Sequence, residues 1–256
     1  MVTYRWIQCN TIINPIVGKD KLFKGRYALD PYQKCDLSCI YCDASEETVF
    51  IKYNAPEILP QELNGLERGT VIVGSTSDPY QMIEAEQCLT KRILDILTEN
   101  GFPFHILTKS AMVLRDISLI TKGNSTVTVS FSTLDEELRR IVEPHASSIN
   151  DRIETLKVLS EKGVTAGVAL MPVIPILSEM HLEDCIEKFS KAGARYLIYE
   201  TLELKGDVRR RFLDVIRMHY PDIATRIEKL YKNSYKPKGY DIDKKIKKYC
   251  RMYNLR

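Results

Sequence analysis

The sequence lacks any run of apolar residues approaching the ~20 that a helix needs to cross a bilayer. Its N-terminus lacks the basic stretch followed by an apolar one that marks a secretory signal. No Gly/Ser-rich linker and no internal repeat stands out either. From these absences we expect a cytoplasmic protein that has no membrane partner.

The cysteines do not have the pattern of a disulfide framework, because their number is odd and three of the seven lie within eight residues. Without a secretory signal we expect a reducing compartment, where thiols bind metals or take part in catalysis more often than they form disulfides. The clustered residues are Cys35, Cys39 and Cys42. This segment is therefore a candidate metal site.

What the chain contains is an ordinary globular composition, with 44% hydrophobic and 28% charged residues. Segments rich in Val and Ile alternate with helical segments, a pattern typical of a parallel sheet flanked by helices. Strands are predicted near Arg26–Asp30 and over Thr70–Gly74, Phe104–Thr108, Thr126–Phe131, Val164–Leu170 and Arg195–Tyr199. Helices are predicted over Glu84–Asn100, Asp151–Lys162, Glu179–Ala192 and Asp207–His219. The predicted fold class is α/β, a partial (β/α)6 barrel with a short basic C-terminal helical extension.

The formal net charge of +3 conceals a basic tail. Residues 226–256 contain eleven Lys and Arg against three Asp and Glu, and the rest of the chain contains 26 against 31. We therefore predict a barrel domain over 1–225 and a basic, Tyr-rich extension over 226–256 that packs on it. The tail's lysines and tyrosines could bind the phosphates and bases of a nucleic acid. Alternatively, the tail is an amphipathic helix that closes the barrel, with packed tyrosines and solvated lysines.

The clustered cysteines have the spacing C-x3-C-x2-C. Iron–sulfur clusters are held by cysteine thiolates, normally one for each iron. Three cysteines would leave one iron of a [4Fe-4S] cluster open for a substrate or cofactor. Zinc is the alternative metal, but structural zinc wants four ligands and no fourth lies nearby in the sequence. Three coincidentally buried cysteines are the remaining interpretation.

This motif, with Tyr41 before the third cysteine, resembles that of the radical S-adenosylmethionine superfamily. The resemblance implies a partial (β/α)6 barrel and a [4Fe-4S] cluster, held by Cys35, Cys39 and Cys42, whose open iron chelates S-adenosylmethionine. It also implies reductive cleavage to a 5′-deoxyadenosyl radical that abstracts hydrogen, with an external electron donor of the flavodoxin or ferredoxin type. Further segments resemble the spore photoproduct lyase-like, or DNA repair photolyase-like, subfamily: Asp30–Cys35, Gly74–Gln81, Thr108–Ser110, Arg115–Asp116, Glu143–Pro144 and Arg152.

The resemblance assigns five residues to the binding of S-adenosylmethionine. Tyr41 matches the aromatic residue near the adenine, and Ser77 and Asp78 match positions that contact the methionyl amino group. Lys109 and Ser130 match positions that hold the methionyl carboxylate. The last four lie at or after the ends of predicted strands, where such barrels bind ligands. Ordinary structural roles, such as a turn cap for Asp78 or a solvated loop position for Lys109, are the alternatives.

The chain also departs from the subfamily at three positions. Ser75 stands where the lyases have a hydrogen-donating cysteine, Asp43 where they have an aromatic residue, and Lys34 where the subfamily has glycine. The cofactor chemistry therefore carries over better than the lyase reaction. We predict an enzyme that abstracts hydrogen from an unknown substrate, with a nucleic acid lesion as the leading candidate. One alternative is an iron–sulfur or zinc-binding nucleic-acid adaptor without radical chemistry, and another is modification of a peptide or small metabolite by the same radical.

Overall fold

A sheet of mostly parallel strands forms the centre of the computed structural model, which describes residues 2–18, 20 and 22–256. The strands are β1 (Thr3–Ile7), β2 (Ile13–Pro15), β3 (Tyr27–Leu29), β4 (Tyr32–Gln33), β5 (Thr48–Lys52), β6 (Val71–Val73), β7 (Phe104–Thr108), β8 (Thr126–Phe131), β9 (Thr165–Val173) and β10 (Leu197–Thr201). In the central sheet their order is β10-β9-β8-β7-β6-β3-β2, and every neighbouring pair is parallel except β2 with β3. A smaller sheet has the order β1-β5-β4.

Along the chain, most helices come between two successive strands of the central sheet. They are α1 (Ala55–Leu63), α2 (Glu84–Gln87), α3 (Leu89–Glu99), α4 (Ile117–Lys122), α5 (Glu136–Val142), α6 (Ile149–Glu161), α7 (Leu182–Lys191), α8 (Gly206–His219), α9 (Pro221–Leu230) and α10 (Asp243–Met252). Within the part of the chain that the structure describes, no helix is long and apolar enough to cross a membrane.

The middle of the central sheet is buried on both faces, but the two faces differ in chemistry. Strand β8 shows this difference, because successive side chains of a strand point to opposite faces. Val127 and Val129 are fully buried on one face, whereas Thr128 and Ser130 lie on the other. The second face therefore carries polar groups, and Ser130 brings one of them to the cavity described below.

The predicted α/β architecture with a parallel sheet is confirmed, and each predicted strand overlaps an observed one. The predicted helix Glu84–Asn100 is instead two helices, α2 and α3. Cys88 separates them with φ of +48°, a left-handed conformation that a regular helix cannot contain. Helix α8 ends at His219 as predicted, and Pro221 then begins α9, a position where proline's missing N–H costs nothing.

The tail, residues 226–256, packs against the edge of the central sheet. Ile246 of α10 is buried, and the Leu197 amide of β10 donates to the carbonyl of Arg256 at 3.1 Å. Of the tail's five tyrosines, Tyr235 is the exposed one, with 48% of its surface accessible. These contacts support the interpretation in which the tail covers the sheet edge, while the proposed domain boundary stays a prediction.

Candidate functional site

One cavity, of about 170 Å³, lies at the carboxyl ends of β6, β7 and β8. Its wall contains every residue that the sequence singled out for the metal and the cofactor. These are Cys35, Cys39, Tyr41, Cys42, Ser77, Asp78, Lys109 and Ser130. The fold therefore brings the eight residues together, and their individual roles stay predictions.

The three cysteines lie on a loop that begins after β4 and is fixed by main-chain hydrogen bonds. The Cys35 amide donates to the carbonyl of Ala44 at 2.8 Å, and the Cys42 amide donates to that of Cys39 at 3.1 Å. Cys35 and Cys39 are buried, whereas Cys42 is half-buried. The loop thus presents three thiols to the cavity from inside the protein.

The thiols are in surroundings that disfavour an isolated thiolate. Burial raises the pKa of the Cys39 thiol to about 12, the nearby carboxylate of Glu143 adds to this effect, and Lys109 opposes it. Burial also raises the pKa of Cys35, with the charge of Asp78 adding to it. Bound metal ions deprotonate coordinating thiols outright, so the positive charge of a metal centre would stabilise the thiolates that burial disfavours.

Three thiols that line one cavity are a donor set that an iron–sulfur cluster can use. Among the described residues, no three His, Cys, Asp or Glu side chains converge on one point closely enough to hold one ion. A structural zinc needs four ligands at about 2.0–2.3 Å from one atom. In a [4Fe-4S] cluster each thiolate binds its own iron, so three cysteines that line one cavity are suitable ligands.

Asp78 anchors the turn after β6 and faces the cavity at the same time. Its Oδ1 accepts from the Thr108 hydroxyl at 2.6 Å and from the Tyr80 amide at 2.9 Å, and its Oδ2 accepts from the Lys109 amide at 2.6 Å. Burial raises the pKa of Asp78, and these donors oppose the rise. Asp78 therefore caps the turn, as the structural alternative expects, and it also lines the cavity.

Ser77, beside it, is also held in place. Its hydroxyl donates to the carbonyl of Tyr32 at 2.9 Å, and its side chain is nearly buried. The hydroxyl oxygen can still accept a hydrogen bond, because a hydroxyl has one donor and two acceptor lone pairs.

The Lys109 side chain lines the cavity and is half-buried. Its ammonium donates to the Ser130 hydroxyl at 2.7 Å and to the carbonyl of Met171 at 3.3 Å. The same nitrogen lies 6.0 Å from the centre of the Tyr41 ring, within the range of a cation–π contact. A cation in this position is suited to hold a ligand carboxylate.

A buried ion pair lies beneath Tyr41. Glu143 and Arg152 are both 0% exposed, and Oε2 of Glu143 is 2.9 Å from Nη1 of Arg152. The Tyr41 hydroxyl donates to Oε1 of Glu143, and Arg152 donates to the main-chain carbonyl of Ser130 at 2.8 Å. Burial opposes ionisation of Glu143, but the charges of Arg152 and Lys109 outweigh it and hold its pKa below the ordinary value. The pair fixes Tyr41 and the end of β8 from inside.

At two of the three positions where the chain departs from the subfamily, Ser75 and Lys34, the side chain contacts a nearby carboxylate. Ser75 lines the cavity and donates to Oδ2 of Asp30 at 2.7 Å. Lys34 has φ of +69°, a left-handed conformation that favours glycine, and its ammonium pairs with Glu46 at 3.2 Å. The backbone at this position is thus one that glycine would adopt more readily, and lysine instead adds an ion pair.

The sequence did not reveal the residues that fasten the cysteine loop to the rest of the protein. Arg211 of α8 donates to the carbonyls of Ile40, Cys42 and Ser45. The carboxylate of Asp36 accepts from the amides of Met82 and Ile83, and its carbonyl is 2.9 Å from Nδ1 of His145. A sequence signal could at most have marked Asp36, which lies between the cysteines.

A family model and several curated proteins are similar to this chain. A family model described as the Radical SAM superfamily matches residues 29–189. An uncharacterized protein of Mycobacterium tuberculosis is 28% identical over 262 residues, covering 93% of this chain and 77% of its own length. An uncharacterized protein of Methanocaldococcus jannaschii is 29% identical over 228 residues, covering 84% of this chain and 83% of its own length.

Solved structures show the same fold. A spore photoproduct lyase mutant with dinucleoside spore photoproduct has a TM-score of 0.68 at 17% identity, covering 98% of this chain and 79% of that one. A radical S-adenosylmethionine methyltransferase from Kitasatospora setae, with cobalamin and a [4Fe-4S] cluster bound, has a TM-score of 0.52 at 13% identity, covering 69% and 34%. The family match contains the three cysteines and more than half of the chain. This chain therefore belongs to the Radical SAM superfamily and is an enzyme.

Proposed function

We propose that Cys35, Cys39 and Cys42 hold a [4Fe-4S] cluster and that the rest of the cavity binds S-adenosylmethionine beside it. The observation that carries this proposal is the common cavity lined by the three cysteines and the five predicted cofactor residues. When bound, the cluster supplies the electron that cleaves S-adenosylmethionine to methionine and a 5′-deoxyadenosyl radical. That radical would then abstract hydrogen from the substrate.

The methionyl end of S-adenosylmethionine has two charged groups, a carboxylate and an amino group, and different cavity residues would bind each of them. Lys109, fixed by Ser130, offers a cation to the carboxylate. Asp78 and Ser77 offer oxygen acceptors to the amino group, and the donors that already bind Asp78 hold its carboxylate in place. Tyr41, fixed by Glu143, offers an aromatic wall. These groups orient the cofactor without first having to be ordered, which reduces the cost of binding.

We also propose that the central sheet is the partial (β/α)6 barrel of this family. Its six parallel strands are β3 and β6 to β10, in an order that follows the chain from one edge to the other. The cavity lies at their carboxyl ends, the location of ligands in barrels of this kind. An external one-electron donor of the flavodoxin or ferredoxin type would reduce the cluster.

For the substrate we propose a nucleic acid, bound near the exposed Tyr235 of the tail. Lys205 and Lys236 place their ammonium groups 4.6 and 5.8 Å from the centre of the Tyr235 ring. Both lysines also contact Glu203. An exposed aromatic ring flanked by cations is the arrangement on which single-stranded bases stack while phosphates meet positive charge.

The test is anaerobic reconstitution with iron and sulfide, followed by reduction in the presence of S-adenosylmethionine. We expect about four iron and four sulfide per chain, as a [4Fe-4S] cluster requires, and release of 5′-deoxyadenosine. Cys88→Ala serves as the control, because Cys88 lies outside the cavity. One zinc per chain and no 5′-deoxyadenosine would contradict the proposal and favour an adaptor module.

A further inference from the structure

Arg211 connects helix α8 to the cysteine loop by three hydrogen bonds from one guanidinium. Nε donates to the carbonyl of Ile40 at 2.9 Å, Nη1 to that of Ser45 at 3.3 Å, and Nη2 to that of Cys42. All three acceptors are main-chain carbonyls, so the contact fixes the path of the loop and not one side chain. The fork of the guanidinium is planar and rigid, and a lysine could not reproduce it.

The contact between Arg211 and the cysteine loop joins two parts of the fold that lie near opposite edges of the central sheet. The cysteine loop follows β3 and β4, near one edge of the central sheet, whereas α8 follows β10 at the opposite edge. In the sheet order, four strands separate β3 from β10. Arg211 therefore ties together the two ends of an open sheet at the place where the cluster ligands lie.

Arg211 forms no direct ion pair with a carboxylate among the described residues. Within the described residues, the ion pairs closer than 4.0 Å do not include Arg211, whereas Arg210 pairs with Asp207 at 3.3 Å. Glu46 and Glu47 line the same surface pocket as Arg211, but neither is within ion-pair distance of it, and Glu46 pairs with Lys34. A full positive charge is thus bonded directly to the carbonyl of Cys42, one of the cluster ligands.

We propose that Arg211 is a positioning residue that also makes the cluster easier to reduce. This inference rests on the proposed function, because it concerns the cluster held by Cys35, Cys39 and Cys42. Reduction adds one negative charge to a cluster, and the surrounding charges and hydrogen bonds set its reduction potential. A cation bonded to the ligand loop stabilises the reduced form, so its removal lowers the potential.

Three variants separate charge from geometry. Arg211→Gln removes the charge, Arg211→Lys keeps the charge but loses the fork, and Arg210→Gln removes a charge from the neighbouring exposed position on the same helix. The measurement is a redox titration of the reconstituted proteins, followed by the electron paramagnetic resonance signal of the reduced cluster, without substrate. Iron per chain is measured in parallel.

We expect Arg211→Gln to lower the reduction potential, so that the ratio of reduced to oxidised cluster at a given potential falls roughly tenfold, which is about 59 mV for one electron. Arg211→Lys is expected to lower the reduction potential by less than half as much as Arg211→Gln does. Arg210→Gln is expected to leave the reduction potential unchanged. An unchanged potential in Arg211→Gln would overturn the inference, and so would equal shifts in Arg211→Gln and Arg211→Lys. Absence of a cluster in the wild type would instead refute the proposed function.

A second measurement covers the case in which Arg211→Gln retains no iron. Hydrogen exchange of the metal-free proteins reports on the loop amides, such as Cys42, which donates to Cys39, and Ser45, which donates to Cys42. We expect faster exchange over residues 39–45 in both Arg211 variants than in the wild type, and no change in Arg210→Gln. Equal exchange in all four proteins would show that Arg211 does not position the loop.

Discussion

The Lys109 ammonium donates to the Ser130 hydroxyl at 2.7 Å, so the ends of β7 and β8 meet over the cavity. The sequence resemblance assigns both side chains to one ligand carboxylate, and the two side chains are in contact. The carbonyl of Met171 accepts from both, which holds them on the same side of the site. A cation held in this way would need little further ordering to bind the ligand carboxylate that we propose for it.

Lys109→Ala is expected to weaken the binding of S-adenosylmethionine without loss of iron. A charge-assisted hydrogen bond contributes about 1.5–3 kcal/mol, so the affinity should fall roughly ten- to a hundredfold. Calorimetry with the reconstituted protein measures the affinity, and Lys122→Ala, an exposed lysine at the end of α4, is the matched control. Unchanged affinity in Lys109→Ala would mean that the carboxylate lies elsewhere.

Cys39→Ala is expected to abolish the cluster, whereas Cys185→Ala is expected to retain it. Both cysteines are buried, but Cys39 lines the cavity and Cys185 packs in the core on α7. Iron and sulfide per chain after reconstitution distinguish the two. Because both substitutions remove a buried thiol, a general loss of packing would affect them alike. Full iron content in Cys39→Ala would refute the assignment of the ligands.

Sequence patterns were most informative at strand ends. The run Thr126–Phe131 alternates Thr or Ser with Val and Phe, and the structure has β8 over the same residues. Once the strands are placed, the parallel topology puts their carboxyl ends side by side, so Lys109 and Ser130 could be grouped without coordinates. The cysteine spacing is local, and the sequence identified it directly.

Contacts between distant segments could not be predicted in this way. Arg211 lies about 170 residues from its acceptors in the cysteine loop, and nothing in its own surroundings marks it among Arg209, Arg210 and Arg211. The small sheet was also missed, because β4 has two residues and β1 exposes most of its side chains. The break at Cys88 depends on a left-handed backbone that no residue type there requires.

Glu143→Gln is expected to destabilise the protein strongly, because it leaves the Arg152 guanidinium buried without a negative partner. Breaking a buried pair in this way costs about 3–5 kcal/mol. Urea unfolding of the metal-free protein measures the change in the free energy of unfolding. Glu154→Gln, on the same helix as Arg152 but in an exposed pair with Lys157, should change it by less than about 0.5 kcal/mol.

The same pair predicts a pH dependence. Arg152 and Lys109 outweigh the effect of burial and hold the pKa of Glu143 below its ordinary value. The stabilisation is therefore present above the unfolded-state pKa of about 4.3 and is lost as the pH falls through the lower folded-state pKa. The stability difference between wild type and Glu143→Gln should shrink as the pH is lowered from about 7 to about 3. A difference that is constant over this range would contradict the assignment.

Tyr235→Ala is expected to weaken binding to single-stranded nucleic acid if the tail forms the substrate surface. Stacking of a base on an aromatic ring contributes about 1–3 kcal/mol, so the affinity should fall at least about fivefold. Tyr53→Ala is the control, because Tyr53 is 43% exposed and Tyr235 is 48% exposed. Equal affinities of the two variants, measured by fluorescence anisotropy at one salt concentration, would exclude Tyr235 as a stacking platform.

The hydroxyl of Ser75 is expected to limit any reaction on the spore photoproduct. Ser75 lines the cavity, and the sequence resemblance places it where the subfamily's lyases have a cysteine that donates a hydrogen atom to the product radical. A serine O–H bond is much stronger than a thiol S–H bond, so a thymine radical formed here would lack a donor. With dinucleoside spore photoproduct we expect the wild type to give either no turnover or a mixture of radical by-products, and we expect Ser75→Cys to give more clean thymine product.

Thr76→Cys, which adds a thiol to the same cavity wall one residue away, is the control. Efficient repair by the wild type, measured by chromatography of the products, would mean that another residue donates the hydrogen. Absence of product in all three proteins would instead show that the substrate is a different molecule.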